Sequence, residues 1–231
     1  MTFDFPADGE AFTKASTLGN FINGADQPAI GGGLLPVENP RHGQVIGQVA
    51  DSDARDVEAA VAAARAAFPG WRDTPLKERV QVLFRLKSLL ERELMPLARI
   101  VADENGKTVA EGVASVQKGI ECLEFGISVP NMAAGGQLEV SRGVSCRVQY
   151  EPLGVVAGVV PFNFPIMVPM WMLPQALVAG NTFVMKPSEQ TPYGMARVAE
   201  LFAEAGLPAG VLNLVNGGRA AVEALVDHPD V

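Results

Sequence analysis

Two short stretches carry residue types suited to holding or polarising a small molecule, and each follows a run that reads as a buried strand. Lys186-Pro187-Ser188-Glu189 ends the apolar run Thr182 to Met185, and ligands bind at the carboxyl ends of strands in open α/β sheets. The Lys186 ammonium suits ribose hydroxyls or a phosphate, and the Glu189 carboxylate suits a ribose hydroxyl as acceptor. A plainer arrangement fits the same residues: Ser188 or Thr191 caps the next helix, and Lys186 and Glu189 are solvated flanking charges. The second stretch, Pro161-Phe162-Asn163-Phe164-Pro165, follows Gly154 to Val160. An Asn between prolines has its amide N–H fixed in direction, as stabilisation of a developing oxyanion requires. The plainer alternative is a stiff turn whose Asn only satisfies backbone groups.

Other candidates carry less. Gly106-Lys107-Thr108 resembles the end of a phosphate loop, but Val101 stands at the leading glycine position and the segment falls between two helices. It reads as a helix-connecting turn. Cys122 and Cys146 have no neighbouring His to lower a thiol pKa and are too few for a disulfide framework or a metal cluster, so both are expected to be free packing thiols. His42 and His228 lack a partner carboxylate or second ligand at a useful spacing, and no metal site is expected.

The elements that must position these residues are legible in outline. No charge occurs between Glu151 and Lys186, a length that raises the question of a membrane helix, which needs about 20 apolar residues. Pro161, Pro165, Pro169 and Pro174 exclude it, since each removes a backbone hydrogen bond that hydrocarbon cannot replace. The run instead reads as strand, proline-set turn, apolar helix and second strand, a βαβ unit. Upstream, the chain to about Ala50 reads as turns and short strands in an edge meander. Four helices follow. The first is capped by Asp51 or Ser52, carries Val57, Ala60, Val61, Ala64 and Phe68 on one face, and stops at Pro69-Gly70. The second starts at Thr74-Pro75; the third ends at Asn105-Gly106, where Gly takes a left-handed cap; the fourth runs from about Thr108 to Val129 and ends at Pro130. Residues 138–150 alternate as a half-buried antiparallel ribbon. After Lys186 come a helix from Thr191-Pro192 to Gly206, a buried strand Val211 to Val215 and a helix near Arg219 to Val226. The pattern then leads towards another strand.

With 231 residues, 48% of them hydrophobic, the chain is long enough to bury a sizeable core. A net charge of −8 and a pI near 4.8 argue against a basic phosphate-binding surface, so nucleic acid and anionic membranes are not expected partners. The start MTFDFPADGE is acidic and lacks a continuous apolar core, which argues against a secretory signal and for a cytoplasmic location.

Together these landmarks resemble the aldehyde dehydrogenase superfamily, and most closely its CoA-acylating methylmalonate-semialdehyde dehydrogenase branch. The resemblance runs from Phe21-Ile22-Asn23-Gly24 to the end of the chain. It rests on Asn39-Pro40, Phe68-Pro69-Gly70-Trp71, Glu104-Asn105-Gly106-Lys107-Thr108, Glu151-Pro152-Leu153-Gly154-Val155, Pro161 to Pro165, Gly180-Asn181-Thr182-Phe183, Met185 to Glu189 and His228-Pro229-Asp230-Val231, all in the family's order. It implies an α/β fold: an NAD-binding domain with N-terminal helices, over residues 1–137 and 151–231, and a small oligomerisation ribbon over 138–150. The family's catalytic domain is expected to be missing. It implies that Asn163 serves the oxyanion hole, that Val160 and Phe162 line the nicotinamide side, and that Lys186, Glu189 and Gln190 hold the adenosine ribose.

In that family a Cys thiolate attacks the aldehyde, hydride passes to NAD, and CoA takes the acyl group. That Cys matches a point beyond Val231, and neither Cys122 nor Cys146 matches it. The chain is therefore expected to be a fragment that is inactive alone, from an enzyme that is a homo-oligomer acting on a small semialdehyde. Lys118 stands where semialdehyde enzymes usually carry Arg, keeping the charge without bidentate recognition of a substrate carboxylate. Two rival expectations are a non-catalytic NAD-binding or subunit-pairing module, and a piece of another branch acting on an uncharged aldehyde.

Overall fold

The computed structural model describes residues 16–132 and 135–231; the stretch MTFDFPADGE lies outside them. Five short strands come first: β1 Ser16–Leu18, β2 Asn20–Ile22, β3 Ala25–Gln27, β4 Leu34–Asn39 and β5 Gln44–Ala50. Helices α1 Ala54–Asp73, α2 Leu76–Arg92, α3 Leu94–Asn105 and α4 Val109–Met132 follow, then a ribbon of β6 Gly136–Ser141 and β7 Val144–Val148. The chain continues as β8 Val155–Val159, α5 Met167–Val178, β9 Thr182–Lys186, α6 Tyr193–Glu204, β10 Leu212–Leu214 and α7 Arg219–Val226.

The main sheet has the order β3-β2-β10-β9-β8, with β8, β9 and β10 parallel and β2 antiparallel to β10. Strand β9 is buried along its whole length because both its faces are covered. Val184 packs with Val57, Val61 and Val215 beneath α1 and α7. Phe183 and Met185 point the other way, into a core with Leu173, Leu177 and Val198 from α5 and α6. This period-two alternation places apolar residues on both sides, and each large side chain so buried contributes roughly 1.5–3 kcal/mol. Helices α2, α3 and α4 back the α5–α6 side. Gly126 lets α4 approach α5, since a Cβ there would lie 2.5 Å from Pro174 Cβ.

Several sequence expectations change. The first strands form no single edge meander: β1, β5 and β4 make a separate sheet, while the β2–β3 hairpin extends the main one. The switch is pinned by the buried Asn20 side chain. It donates to Ser52 Oγ at 2.8 Å and accepts from the Asn216 N–H at 2.8 Å. Helix α1 is capped by Asp53 in a capping box with Asp56, not by Asp51 or Ser52, and it continues through Pro69 and Gly70 to Asp73. Its last turn is held from outside. Trp71 Nε1 donates to the Leu177 carbonyl at 2.9 Å, and the buried Arg79 donates to the carbonyls of Arg72, Thr74 and Val178 at 3.0, 2.6 and 2.8 Å. Thr74 ends α1 by donating to the Gly70 carbonyl and does not cap α2. Helix α4 runs on through Pro130 to Met132, with Val129 packed against the core just before the proline. Gly106 does take the left-handed cap of α3, at φ 79°.

The ribbon is antiparallel but not half-buried: Leu138, Val140, Val144, Val148 and Tyr150 are all exposed, so its alternation finds no core in this chain. Among the described residues, no helix is long and apolar enough to cross a membrane.

Candidate functional site

Parallel pairing brings the two chemically loaded stretches together. Val159, at the end of β8, pairs with Lys186, at the end of β9, and the Val160 N–H donates to the Lys186 carbonyl at 3.2 Å. The β8–α5 loop (160–166) and the β9–α6 loop (187–192) therefore leave the sheet side by side. A cavity of about 270 Å³ lies between them and the α3–α4 turn, lined among others by Phe162, Gln190, Thr191, Glu38, Glu104 and Asn105.

On the β9 side, Lys186 is only 4% exposed, and its Nζ donates to Glu189 Oε2 at 3.0 Å. Partial burial works against ionisation of Glu189, but a backbone N–H and the Lys186 ammonium outweigh it and hold the carboxyl below its ordinary value. Lys186 is thus no solvated flanking charge. Neither Ser188 nor Thr191 caps α6: Ser188 Oγ accepts from the Gln190 N–H at 3.2 Å, and Thr191 Oγ1 donates across to the Phe162 carbonyl at 3.4 Å. The cap comes from α3. Glu104 accepts from the N–H groups of Tyr193 at 2.7 Å and Gly194 at 3.1 Å. Burial pushes its carboxyl up to about 8, while the two N–H bonds pull the other way.

On the β8 side, Val160 is buried while Phe162 and Asn163 are exposed, and the Asn163 side chain makes no hydrogen bond among the described residues. It does not merely satisfy a turn. The turn is held instead by the segment Asn105-Gly106-Lys107. Asn105 Nδ2 donates to the Phe162 carbonyl at 2.7 Å, and Lys107 Nζ donates to the Asn163 carbonyl and to Asn105 Oδ1, the latter at 2.7 Å. The same ammonium lies 4.5 Å from the centroid of the Phe164 ring, a cation–π contact. Desolvation lowers the Lys107 pKa.

The remaining candidates lie elsewhere. Lys118 is exposed on α4 and paired with Glu121 at 2.6 Å, a pairing that raises its pKa. Cys122 is partly buried against the core, and burial followed by Glu121 pushes its thiol up; Cys146 is exposed. His228 does meet a carboxylate, Glu58 at 3.1 Å, a partner 170 residues away that local spacing conceals. Sequence reading missed Glu104, Asn105 and Lys107 as parts of the site. The segment was marked by its helix-ending glycine and as a landmark of the family resemblance, but neither assigned these side chains a role, and their partners lie 56–90 residues further on.

A helix-flanked sheet with paired strand-end loops, a buried Lys186 paired with a partly exposed Glu189 on one and an unpaired Asn163 side chain on the other, places the candidate site in an α/β fold. The family model for the aldehyde dehydrogenase family matches residues 30–231, and the chain belongs to that family. Among curated relatives, it is 47% identical over 220 residues to malonate-semialdehyde dehydrogenase 2 of Geobacillus thermodenitrificans, covering 95% of this chain and 46% of that protein. Among solved structures, methylmalonate-semialdehyde dehydrogenase from Oceanimonas doudoroffii superposes with a TM-score of 0.91 at 41% identity, over 94% of this chain and 44% of that one. An NAD+ complex of aldehyde dehydrogenase from Bacillus cereus superposes with a TM-score of 0.90 at 34% identity, over 93% and 45%. The chain spans a little under half the length of the relatives it matches.

Proposed function

We propose that this chain is the N-terminal, cofactor-binding portion of a CoA-acylating malonate- or methylmalonate-semialdehyde dehydrogenase. The observation that carries the reading is the buried Lys186 ammonium paired with the partly exposed Glu189 carboxylate, beside a turn that leaves the Asn163 side chain free. The donor set fits a dinucleotide: an ammonium and a carboxylate, one donating and one accepting, complement a ribose diol. Lys186 and Glu189 would hold the adenosine ribose with Gln190 beside them, and Val160 and Phe162 would face the nicotinamide through their backbone. NAD, when bound, supplies the hydride acceptor. Asn163 would donate to the oxyanion that develops on the substrate carbonyl, and its exposed, unpaired side chain supports that role.

In this reading the two parts, 1–137 and 151–231, make up the cofactor domain. The exposed ribbon over 138–150 pairs with another copy, supported by its row of exposed apolar residues. Lys118, now paired with Glu121 on the surface of α4, would leave that pair to contact the substrate carboxylate. The attacking thiolate and the CoA site belong outside residues 1–231.

Isothermal titration of the 231-residue chain with AMP and NAD tests the binding half: both bind, and Lys186→Ala weakens both. Absence of any binding overturns it. Incubation with NAD, CoA and malonate semialdehyde tests the rest, since NADH formed by this chain alone would refute the external thiolate.

A further inference from the structure

We propose that Asn105 and Lys107 are positioning residues that aim the Phe162–Asn163–Phe164 peptides at the reacting centre. The inference rests on the role given to Asn163 above. Pro161 and Pro165 fix φ only at the ends of the turn, and the Phe162 and Asn163 carbonyls take no backbone hydrogen bond among the described residues. Each is held instead by a side chain from the α3–α4 turn.

A peptide unit is planar, so its carbonyl and the following N–H point in opposite, coupled directions. Holding the Phe162 carbonyl therefore fixes the Asn163 N–H, and holding the Asn163 carbonyl fixes the Phe164 N–H. Lys107 also places a positive charge behind the Asn163–Phe164 peptide, at the carbonyl end of its dipole, which strengthens the N–H on the other side as a donor. The two holding residues are themselves joined, Lys107 Nζ to Asn105 Oδ1, so they act as one clamp. Thr191 Oγ1 adds a bond from the β9–α6 loop to the same Phe162 carbonyl, tying the nicotinamide side of the site to the ribose side. Nothing in the local sequence of the proline-bounded turn contains this device.

Selective labelling reads the clamp directly, without relying on cofactor binding. The chain has one Phe-Asn pair, Phe162-Asn163, and two Asn-Phe pairs, Asn163-Phe164 and Asn20-Phe21. Carbonyl-13C on the first residue and 15N on the second thus give one peak for the Phe162 carbonyl, one for the Asn163 carbonyl, and Asn20-Phe21 as a fold control. In Asn105→Ala the Phe162–Asn163 peak moves, in Lys107→Met the Asn163–Phe164 peak moves upfield in carbon, and the control stays. Lys107→Arg, which can still donate, restores the wild-type position.

In parallel, NAD binding weakens roughly three- to tenfold in both loss variants, the scale of re-ordering a loosened loop on binding. AMP, which lacks the nicotinamide end, keeps its affinity. Unmoved turn peaks overturn the proposal, as does equal weakening of NAD and AMP. A wild-type chain that binds neither nucleotide overturns the cofactor reading alone, and the peak shifts then still decide the clamp. Should Lys107→Met lose the control peak by unfolding, Asn105→Ala and Lys107→Arg carry the test.

Discussion

Glu104 is a carboxyl buried against the start of α6, and its titration should be visible in the stability of the whole chain. Its pKa is about 8 in the fold against 4.5 for the free group, so the folded chain binds this proton more tightly than the unfolded chain does. As pH rises the unfolded state loses the proton first, and stability falls through the window from 4.5 to 8, levelling off above it. Between about pH 5.5 and about pH 8.5 the loss is about 3 kcal/mol, or roughly 6–12 °C in Tm for a chain of this size. Glu104→Gln is the reference. It stays neutral, keeps one acceptor for the α6 N–H groups, and shares every other titrating group with the wild type, so the difference between the two isolates this carboxyl. Urea unfolding followed by circular dichroism at the two pH values measures it. The wild type should lose ground against Glu104→Gln as pH rises. A flat difference, or one that grows in favour of the wild type, would refute the reasoning. It would mean that the N–H bonds and the positive end of α6 outweigh burial and keep the carboxylate ionised.

Other outcomes follow from single contacts. Gly126→Ala should cost about 1–3 kcal/mol in urea unfolding, because its Cβ meets Pro174 and the α4–α5 contact must open. Asp53→Ala removes the capping box of α1 and should lower the urea midpoint in the same assay. Lys186→Ala should weaken AMP about tenfold by calorimetry, the loss of one hydrogen bond to a charged group. Leu138→Ser, on the exposed ribbon, should leave unfolding within about 0.5 kcal/mol while reducing any self-association seen in sedimentation.

Much of this protein was legible in its residues. The uncharged run broken by prolines specified a βαβ unit, and β8, α5 and β9 lie within a residue or two of where that run and its prolines put them. Strand ends could be located because the continuous apolar runs stop at Lys186 and at Pro161. Helix boundaries were less legible. Local stop signals at Pro69-Gly70 and Pro130 were overridden by packing: Trp71 and Arg79 hold the last turn of α1, and Val129 keeps α4 against the core. The ribbon's alternation was real, but which face is buried depends on a neighbour and not on the pattern.

The site itself was half visible. Sequence alone determined that Lys186 ends one strand of a βαβ unit and that the turn carrying Asn163 follows the other, because an uncharged apolar run and the prolines that break it are short-range features of the chain. Only the tertiary structure decided what holds them: Glu104 on the α6 N-terminus, Asn105 and Lys107 on the turn, and a buried rather than solvated Lys186. These contacts join groups more than 50 residues apart. Pairing at that range depends on how sheets and helices stack, and leaves no periodic trace in the chain.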